Sequence, residues 1–195
     1  MLHLREAHYF LTINKRTAGG RLFTDKWKLI LVFLFLFPFI NAKAQRGVDY
    51  AVHANIIYHF TKYIEWPESR RSGDFIIGII GESPLTDELK KTIANKTARN
   101  QKIVVKRIST SQSLNDCHII FISAEESGSL KKIAAKTAGM SVLLVTEDEG
   151  MAQGGSCINF VIVADRLKLE INKNNIDKHS LSIASELLQL GKIVK

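Results

Sequence analysis

The chain has 195 residues, a formal net charge of +8, and a composition that is 46% hydrophobic and 24% charged. These values suit one globular domain with or without an appendage, and they exclude a disordered chain, a collagen and a multi-span membrane protein. With only three prolines and twelve glycines, the chain is not a low-complexity linker protein either.

The N-terminal segment has the pattern of a secretory signal. Two lysines, Lys26 and Lys28, precede an uncharged apolar run at residues 29–40, and the small-residue pattern Ala-Lys-Ala ends at Ala44. Twelve helical residues span only about 18 Å, which is too short for a bilayer core. We therefore expect residues 1–44 to be a signal peptide that is cleaved near Ala44. An uncut membrane anchor is the alternative interpretation.

Most of the excess positive charge belongs to this segment. Residues 1–44 carry seven Lys or Arg and two acids, which leaves a net charge of +3 for residues 45–195. The exported part has no basic stripe with interleaved aromatic residues, so we expect no nucleic-acid partner.

The exported part opens with a predicted helix over residues 49–66. Apolar residues recur there every four positions, at Val52, Ile56, Phe60 and Ile64. Asp49 suits the N-cap, and Pro67 prevents the helix from continuing.

The following elements alternate between strands and helices. Apolar runs with flanking breakers predict strands at residues 74–81, 102–108, 118–123 and 141–146. Amphipathic spacing predicts helices at residues 84–98 and 125–138, the second ended by Gly139 as C-cap. Strands at residues 157–163 and 167–172 form a hairpin, and residues 181–194 are predicted as the last helix.

This order predicts an α/β fold. Alternating strands and helices favour a mainly parallel sheet with helices on both faces, which is a three-layer α/β/α sandwich. The C-terminal antiparallel hairpin makes the sheet mixed. We expect residues 45–195 to form a single domain, since no composition shift divides them.

The sequence carries no recognisable catalytic or metal-binding motif. Gly78 and Gly81 lack the rest of a dinucleotide-binding fingerprint, and the acids at residues 147–149 lack the ligand spacing of a calcium loop. His53 and His59 lie six residues apart, so they do not share one helix face. We therefore expect a non-enzyme without metal or cofactor.

Cys117 and Cys157 are the two cysteines of the chain. In an exported protein, an even number is compatible with one disulfide. Two buried free thiols in separate strands are the alternative. We expect the two residues to lie close together in a fold that does not depend on a bond between them.

Several segments resemble the YfiR family of periplasmic proteins. The resemblance covers nearly the whole exported part, in order and spacing. It rests on the segments IIYHFTKYIEWP (56–67), FIIGIIG (75–81), DCHIIFI (116–122), LLVTEDEG (143–150), GGSCINF (154–160) and LEIN (169–172).

The resemblance implies a periplasmic regulator that binds an inner-membrane signalling protein. In the family's characterised system, the regulator represses a diguanylate cyclase, and an outer-membrane lipoprotein sequesters it. Cyclic di-GMP and biofilm growth rise when the repression ends. Family members that serve other receptors, such as sensor histidine kinases, leave the partner open, and self-association is open as well. The nearby cysteine pair of the characterised repressor does not exist here, which puts redox control in doubt.

The resemblance also implies which residues bind the partner. Glu170 matches the glutamate of the family's F-E-I-N pattern, Ile176 matches an apolar position of the partner surface, and Ile158 lies near an aromatic one. Glu170 alternates with Leu169 and Ile171, so we expect it to be exposed. Ile158 and Ile176 have a simpler interpretation as core residues.

A second hypothesis is a small-ligand-binding module. In that case the ligand would occupy the crevice at the carboxyl ends of the parallel strands, near residues 81–84 and 123–126.

Overall fold

The apolar runs of the sequence form the buried centre of a mixed sheet in a computed structural model of the protein, which describes residues 48–195. The predicted signal segment and its cleavage site lie outside the described residues. The elements in chain order are α1 (Tyr50–Tyr63), β1 (Ile64–Glu65), β2 (Phe75–Ile80), α2 (Leu85–Ile93), β3 (Thr97–Ala98), β4 (Gln101–Arg107), β5 (Ile119–Ile122), α3 (Leu130–Thr137), β6 (Leu143–Thr146), α4 (Met151–Gly154), β7 (Ile158–Val163), β8 (Arg166–Asn172), α5 (Lys173–Lys178), β9 (Ser182–Ile183), α6 (Ser185–Leu190) and β10 (Gly191–Val194).

The main sheet has eight strands in the order β10-β8-β7-β6-β5-β2-β4-β3. Pairing is antiparallel between β7 and β8 and between β3 and β4, and parallel elsewhere. Strands β1 and β9 form a separate antiparallel pair. The prediction of a mixed, mainly parallel sheet with a C-terminal hairpin is therefore confirmed.

The helices cover both faces of this sheet. The chain passes from β2 through α2 to β4 in one direction, and from β5 through α3 to β6 in the opposite direction. Because such crossovers are right-handed, the two helices lie on opposite faces. Helix α1 packs beside α2, and α4 packs beside α3. The predicted α/β/α sandwich is confirmed.

The first helix is shorter than predicted, and its buried face differs in part from the predicted one. Its N-cap is Asp49 as expected, since the carboxylate accepts hydrogen bonds from the Ala51 and Val52 amides. The helix ends at Tyr63, because residues 64–65 pair with β9. Of the four apolar positions predicted to be buried, Phe60 and Ile64 are buried, Ile56 is half-buried and Val52 is 42% exposed. The other buried positions of the helix are His53, Ala54, Ile57 and Thr61.

The prediction for residues 181–194 is wrong. Instead of one helix, this segment contains β9, the six-residue α6 and the edge strand β10. Gly191 has extended backbone dihedral angles, and the four residues from there pair in parallel with Leu169–Asn172. The spacing of Ile183, Leu187, Leu190 and Val194 is helical, but pairing with neighbouring strands determines the structure.

Two further helices differ from their predicted bounds. The segment 84–98 is helical only over Leu85–Ile93 and then forms β3, while 125–138 begins with a 3-10 turn at Ala124–Ser129 before α3. Gly139 follows α3 with a φ of +74°, as expected for a glycine that ends a helix.

Candidate functional site

The tip of the β7–β8 hairpin is exposed to solvent over residues 162–166. Its turn consists of Ala164 and Asp165, which both have positive φ angles of 50° and 57°. Two successive left-handed residues are typical of the hairpin turn that matches the right-handed twist of the strands. Near the turn, Ile162 and Val163 are 57% and 55% exposed, so apolar side chains face solvent at the hairpin tip.

The hairpin separates buried from exposed residues by strand alternation. Phe160 lies opposite Leu169 in the register, and both are buried on the face that packs against α1. The Phe60 and Phe160 rings stack with centroids 6.2 Å apart. The opposite face carries a row of side chains that we name the hairpin surface: Val161, Val163, Arg166, Lys168, Glu170 and Lys192.

Glu170 lies in this hairpin surface, as the alternation predicts. Leu169 and Ile171 on either side of it are buried, whereas Glu170 is half-buried. Its Oε2 atom accepts a hydrogen bond of 3.2 Å from Asn159 Nδ2 on the neighbouring strand. The carboxylate is thus held in one orientation at the surface.

Asn159 connects Glu170 to a buried polar network. Its side chain is completely buried, and its Nδ2 atom also donates to the Asp148 carbonyl at 2.9 Å. Its Oδ1 atom accepts a 2.7 Å bond from Thr146 Oγ1 at the end of β6. The network ties the loop after β6 to the hairpin, because buried amides need partners for both their donor and acceptor groups.

Two more asparagines, one at the C-terminal end of β8 and one in α5, bond to helix α4. Asn172 is the N-cap of α5, where its Oδ1 accepts from the Asn175 amide. The side chains of Asn172 and Asn175 both donate to the Ala152 carbonyl, at 2.9 and 3.2 Å. The sequence analysis did not identify these three asparagines. For Asn159 and Asn172, the available signal was a polar residue in an otherwise apolar strand.

The two isoleucines expected at the partner surface lie in the core. Ile158 and Ile176 have no exposed surface. Ile158 pairs with Val145 and Ile171 inside the sheet, and Ile176 lies on the buried side of α5. In this conformation neither side chain offers surface area to a partner.

The cysteines are buried and free, and the expectation that they lie close together is wrong. Cys157 precedes β7, and its backbone amide donates a hydrogen bond to the Leu144 carbonyl on β6. Leu144 in turn pairs with Ile120 of β5. Cys117 comes three residues before Ile120, on the second strand from β7. At the usual strand spacing and rise, the two cysteines are therefore roughly 14 Å apart. A disulfide needs Cα atoms within about 7 Å, so these two residues do not form one in this fold.

Side chains pack closely around Gly81 at the carboxyl ends of the parallel strands. Gly81 has a φ of +88°, and a Cβ atom there would clash with Ser123 Oγ and lie 2.8 Å from Glu126 Cγ. Beside them, the Glu147 carboxylate accepts from the Ala124 amide at 3.3 Å and from the Tyr50 hydroxyl at 3.4 Å. Burial raises the pKa of Glu147. A partly buried polar cluster that includes Tyr50, Ser123 and Glu147 therefore lies in the region where the second hypothesis places a ligand.

Within residues 48–195, no group of three or more His, Cys, Asp or Glu side chains is arranged to hold a metal ion. No helix in the same part of the chain has the length and apolar character needed to cross a membrane.

Comparison with known proteins agrees with the architecture. No curated protein is significantly similar to the chain. A family model described as YfiR/HmsC-like matches residues 50–192, which include every helix described above and the first two residues of β10. The match covers almost all of the described residues and contains the hairpin and its asparagine network. The chain therefore belongs to the YfiR/HmsC-like family.

Proposed function

We propose that the protein is a periplasmic regulator that binds and represses an inner-membrane signalling protein through the hairpin surface. Membership of the YfiR/HmsC-like family supports a regulatory role in cyclic di-GMP signalling. The finer assignments are a diguanylate cyclase as the repressed partner and an outer-membrane lipoprotein as the sequestering one.

The observation that carries the proposal is the composition of the hairpin surface. Its two valines provide apolar contact area, Arg166, Lys168 and Lys192 are exposed cations, and Glu170 is the acidic residue of the row. Charged side chains beside apolar contact area are typical of a protein interface, where the charges set specificity and orientation. The surface is complementary to a partner segment with apolar and mainly acidic side chains.

The buried network supports this use of Glu170. An exposed glutamate normally loses side-chain freedom when it binds, which costs affinity. Here the Asn159 amide already holds the carboxylate of Glu170. A rigid domain of this kind acts by stabilising one of two states of its receptor.

The binding test compares two charge reversals of the same type. Glu170→Lys changes the hairpin surface, and Glu68→Lys changes an exposed residue outside it. Each variant serves as bait for detergent-solubilised membranes of the source cell. We expect Glu68→Lys to retain the membrane partner and Glu170→Lys to bind it at least about tenfold more weakly. Equal retention by both variants removes the hairpin surface from the interface.

Folding and signalling are measured beside binding. The Glu170→Lys change removes one hydrogen bond, so it should cost about 1 kcal/mol of unfolding free energy and leave the circular dichroism spectrum unchanged. Deleting the gene should raise cellular cyclic di-GMP. An unchanged level contradicts the cyclase as partner and leaves a sensor histidine kinase or another receptor as the repressed protein.

A further inference from the structure

Strand β10 forms one edge of the main sheet. It stands at the end of the strand order, and no strand within residues 48–195 pairs with its outer side. Edge strands carry backbone N–H and C=O groups that can pair with another extended chain. Addition of a strand at such an edge is a common way in which proteins bind peptide segments.

The ladder between β7 and β8 shows which residues of β8 bond to β10. The Asn172 amide donates to the Cys157 carbonyl on the β7 side. Because bonded residues alternate along an antiparallel strand, Glu170 also directs its backbone groups to β7. Leu169 and Ile171 therefore direct their N–H and C=O groups to β10 on the other side.

The same register identifies the outward backbone groups of β10. Leu169 lies opposite Gly191, and Ile171 lies opposite Ile193. In a parallel pair, a bonded residue bonds to the two residues that flank its partner, so the partner's own backbone groups point away. The N–H and C=O groups of Gly191 and Ile193 therefore face outward. The part of the chain that the structure describes gives them no other backbone partner.

The side chains on the two faces of β10 differ in chemistry. Ile193 is 50% exposed, on the face that also carries Ile171. Lys192 is exposed on the opposite face, where it belongs to the hairpin surface. Among residues 48–195, no carboxylate lies within 4.0 Å of the Lys192 ammonium group. A strand added beside β10 would therefore be complementary if it placed an apolar side chain next to Ile193 and an acidic one next to Lys192.

A second copy of the chain is less suited to this edge. Pairing of two β10 strands would bring Lys192 and Lys195 of both copies into one short ribbon. Like charges on paired strands are destabilising, and lysine on an edge strand opposes self-pairing. The charge of the edge thus favours an acidic partner.

We propose that β10 binds an extended segment of a partner protein as an added strand, in which acidic and apolar side chains alternate. The segment forms backbone hydrogen bonds with Gly191 and Ile193, and one of its carboxylates pairs with Lys192. This inference deepens the proposed function and rests on it, because it states how the membrane partner binds beside the hairpin surface.

The first test uses a probe peptide of this chemistry, acetylated and amidated Glu-Val-Glu-Val-Glu, and follows its binding by NMR. In the free protein, the amides of Gly191 and Ile193 should exchange with deuterium at least about tenfold faster than those of Lys192 and Val194, which bond to β8. Saturating probe should slow the exchange of the two outward amides at least about fivefold. No binding, or binding that leaves these two amides unprotected, overturns the proposal.

Modified probes separate charge from backbone pairing. Lys-Val-Lys-Val-Lys has the same pattern with the opposite charge, so it should bind at least about tenfold more weakly. Two further probes carry N-methyl groups on the valine amides or on the glutamate amides. An antiparallel added strand bonds through the first set and a parallel one through the second, so one methylated probe should lose binding. Full binding of both methylated probes overturns the proposal.

The third test changes the charge of the edge. Lys192→Glu should weaken binding of the acidic probe at least about tenfold. Lys131→Glu is the matched control, because it makes the same change at an exposed position on α3, and it should leave the affinity within about twofold. Equal losses in the two variants would show a general charge effect and contradict the assigned site.

The last test separates this inference from the proposed function. Ile193→Pro removes one outward N–H group, and Ile193→Val retains it; circular dichroism verifies that both variants are folded. If both capture the same membrane partner as the wild type, strand addition is wrong and the proposed function stands. If the wild type binds the probe at β10 and captures no membrane partner, the proposed function fails while the strand site is supported. A wild-type dimer that Ile193→Pro dissociates, together with no probe binding, assigns the edge to a second copy and overturns the proposal.

Discussion

Glu170 and Asn159 lie opposite each other on strands β8 and β7, and the Asn159 amide donates a 3.2 Å hydrogen bond to the Glu170 carboxylate. This contact joins the surface expected to bind a partner to a network that reaches the end of β6 through Thr146. Because Asn159 also holds the Asp148 carbonyl, the position of the loop and the orientation of Glu170 depend on the same side chain.

We first predict that Asn159→Ala destabilises the protein by about 2 kcal/mol, because it leaves buried partners without hydrogen bonds. Urea unfolding followed by circular dichroism measures this value. Asn55→Ala is the matched control, since Asn55 is exposed on α1 and its side chain donates to the Ala51 carbonyl of the same helix. The control should change stability by no more than about 0.5 kcal/mol. Equal effects of the two substitutions would show that the network does not stabilise the fold.

The second prediction concerns the start of α1. Asp49 accepts hydrogen bonds of 3.1 and 3.3 Å from the Ala51 and Val52 amides. Replacing an N-cap aspartate by alanine costs about 1 kcal/mol, whereas serine retains most of the cap. We therefore expect Asp49→Ala to lower the urea midpoint and Asp49→Ser to restore it. Asp74→Ala, at an exposed position before β2, should have no such effect. A midpoint unchanged in Asp49→Ala would contradict the capping role.

The central strands were predictable because burial on both faces requires continuous apolar runs. Strand β2, for example, consists of FIIGII and lies between β4 and β5. The C-terminal segment was not predictable in this way. The six residues of α6 and the four of β10 fit one amphipathic helix, and only their pairing with β8 separates them.

The candidate site was partly predictable. Alternation along LKLEIN was sufficient to place Glu170 on the outer face of β8. The asparagine network was missed because its partners, such as Thr146 and Asn159, come from different elements. An apolar pocket between α1, β8 and α6 was missed for the same reason, because its lining residues come from these three elements.

The third prediction is that both cysteines resist modification in the native protein. Burial raises the pKa of the Cys117 thiol to about 11 and that of Cys157 to about 12. The reactive thiolate is therefore scarce at pH 8, and the core excludes the reagent. Mass spectrometry after iodoacetamide treatment should find no labelled cysteine in the native protein and two in urea. The thermal midpoint should not change on addition of a reductant. Rapid labelling of either cysteine in the native protein would contradict its placement.

The last prediction concerns pH, and it rests on a buried imidazole. His118 is 4% exposed and stacks on Phe75 with ring centroids 4.4 Å apart. Its Nδ1 atom accepts from the Ile76 amide at 3.1 Å, so Nε2 carries the proton and donates to the Arg70 carbonyl at 2.9 Å. Protonation of Nδ1 would turn this acceptor into a second donor facing the Ile76 N–H group.

Burial lowers the pKa of His118 in the folded state, and the positive charge of Arg70 lowers it further. The unfolded chain binds the proton near the ordinary value of about 6.5. The contribution of neutral His118 to the free energy of unfolding is therefore complete above about pH 6.5. This contribution is lost as the pH falls toward the folded-state pKa, by at most about 1.4 kcal/mol per pH unit for each proton. Burial lowers the pKa of His53 and His179 in the same way, so the three effects add.

Urea unfolding at pH 7.5, 6.5 and 5.5 measures this loss. His118→Gln retains a donor and an acceptor but cannot titrate in this range, so its stability should be lower at pH 7.5 and should fall less steeply with acidification. Asn55→Ala is the control, because it changes an exposed side chain on α1 that does not titrate and should leave the slope unchanged. If the wild type and His118→Gln lose stability in parallel between pH 7.5 and 5.5, protonation of His118 does not contribute to acid unfolding, and the loss belongs to the other two buried histidines.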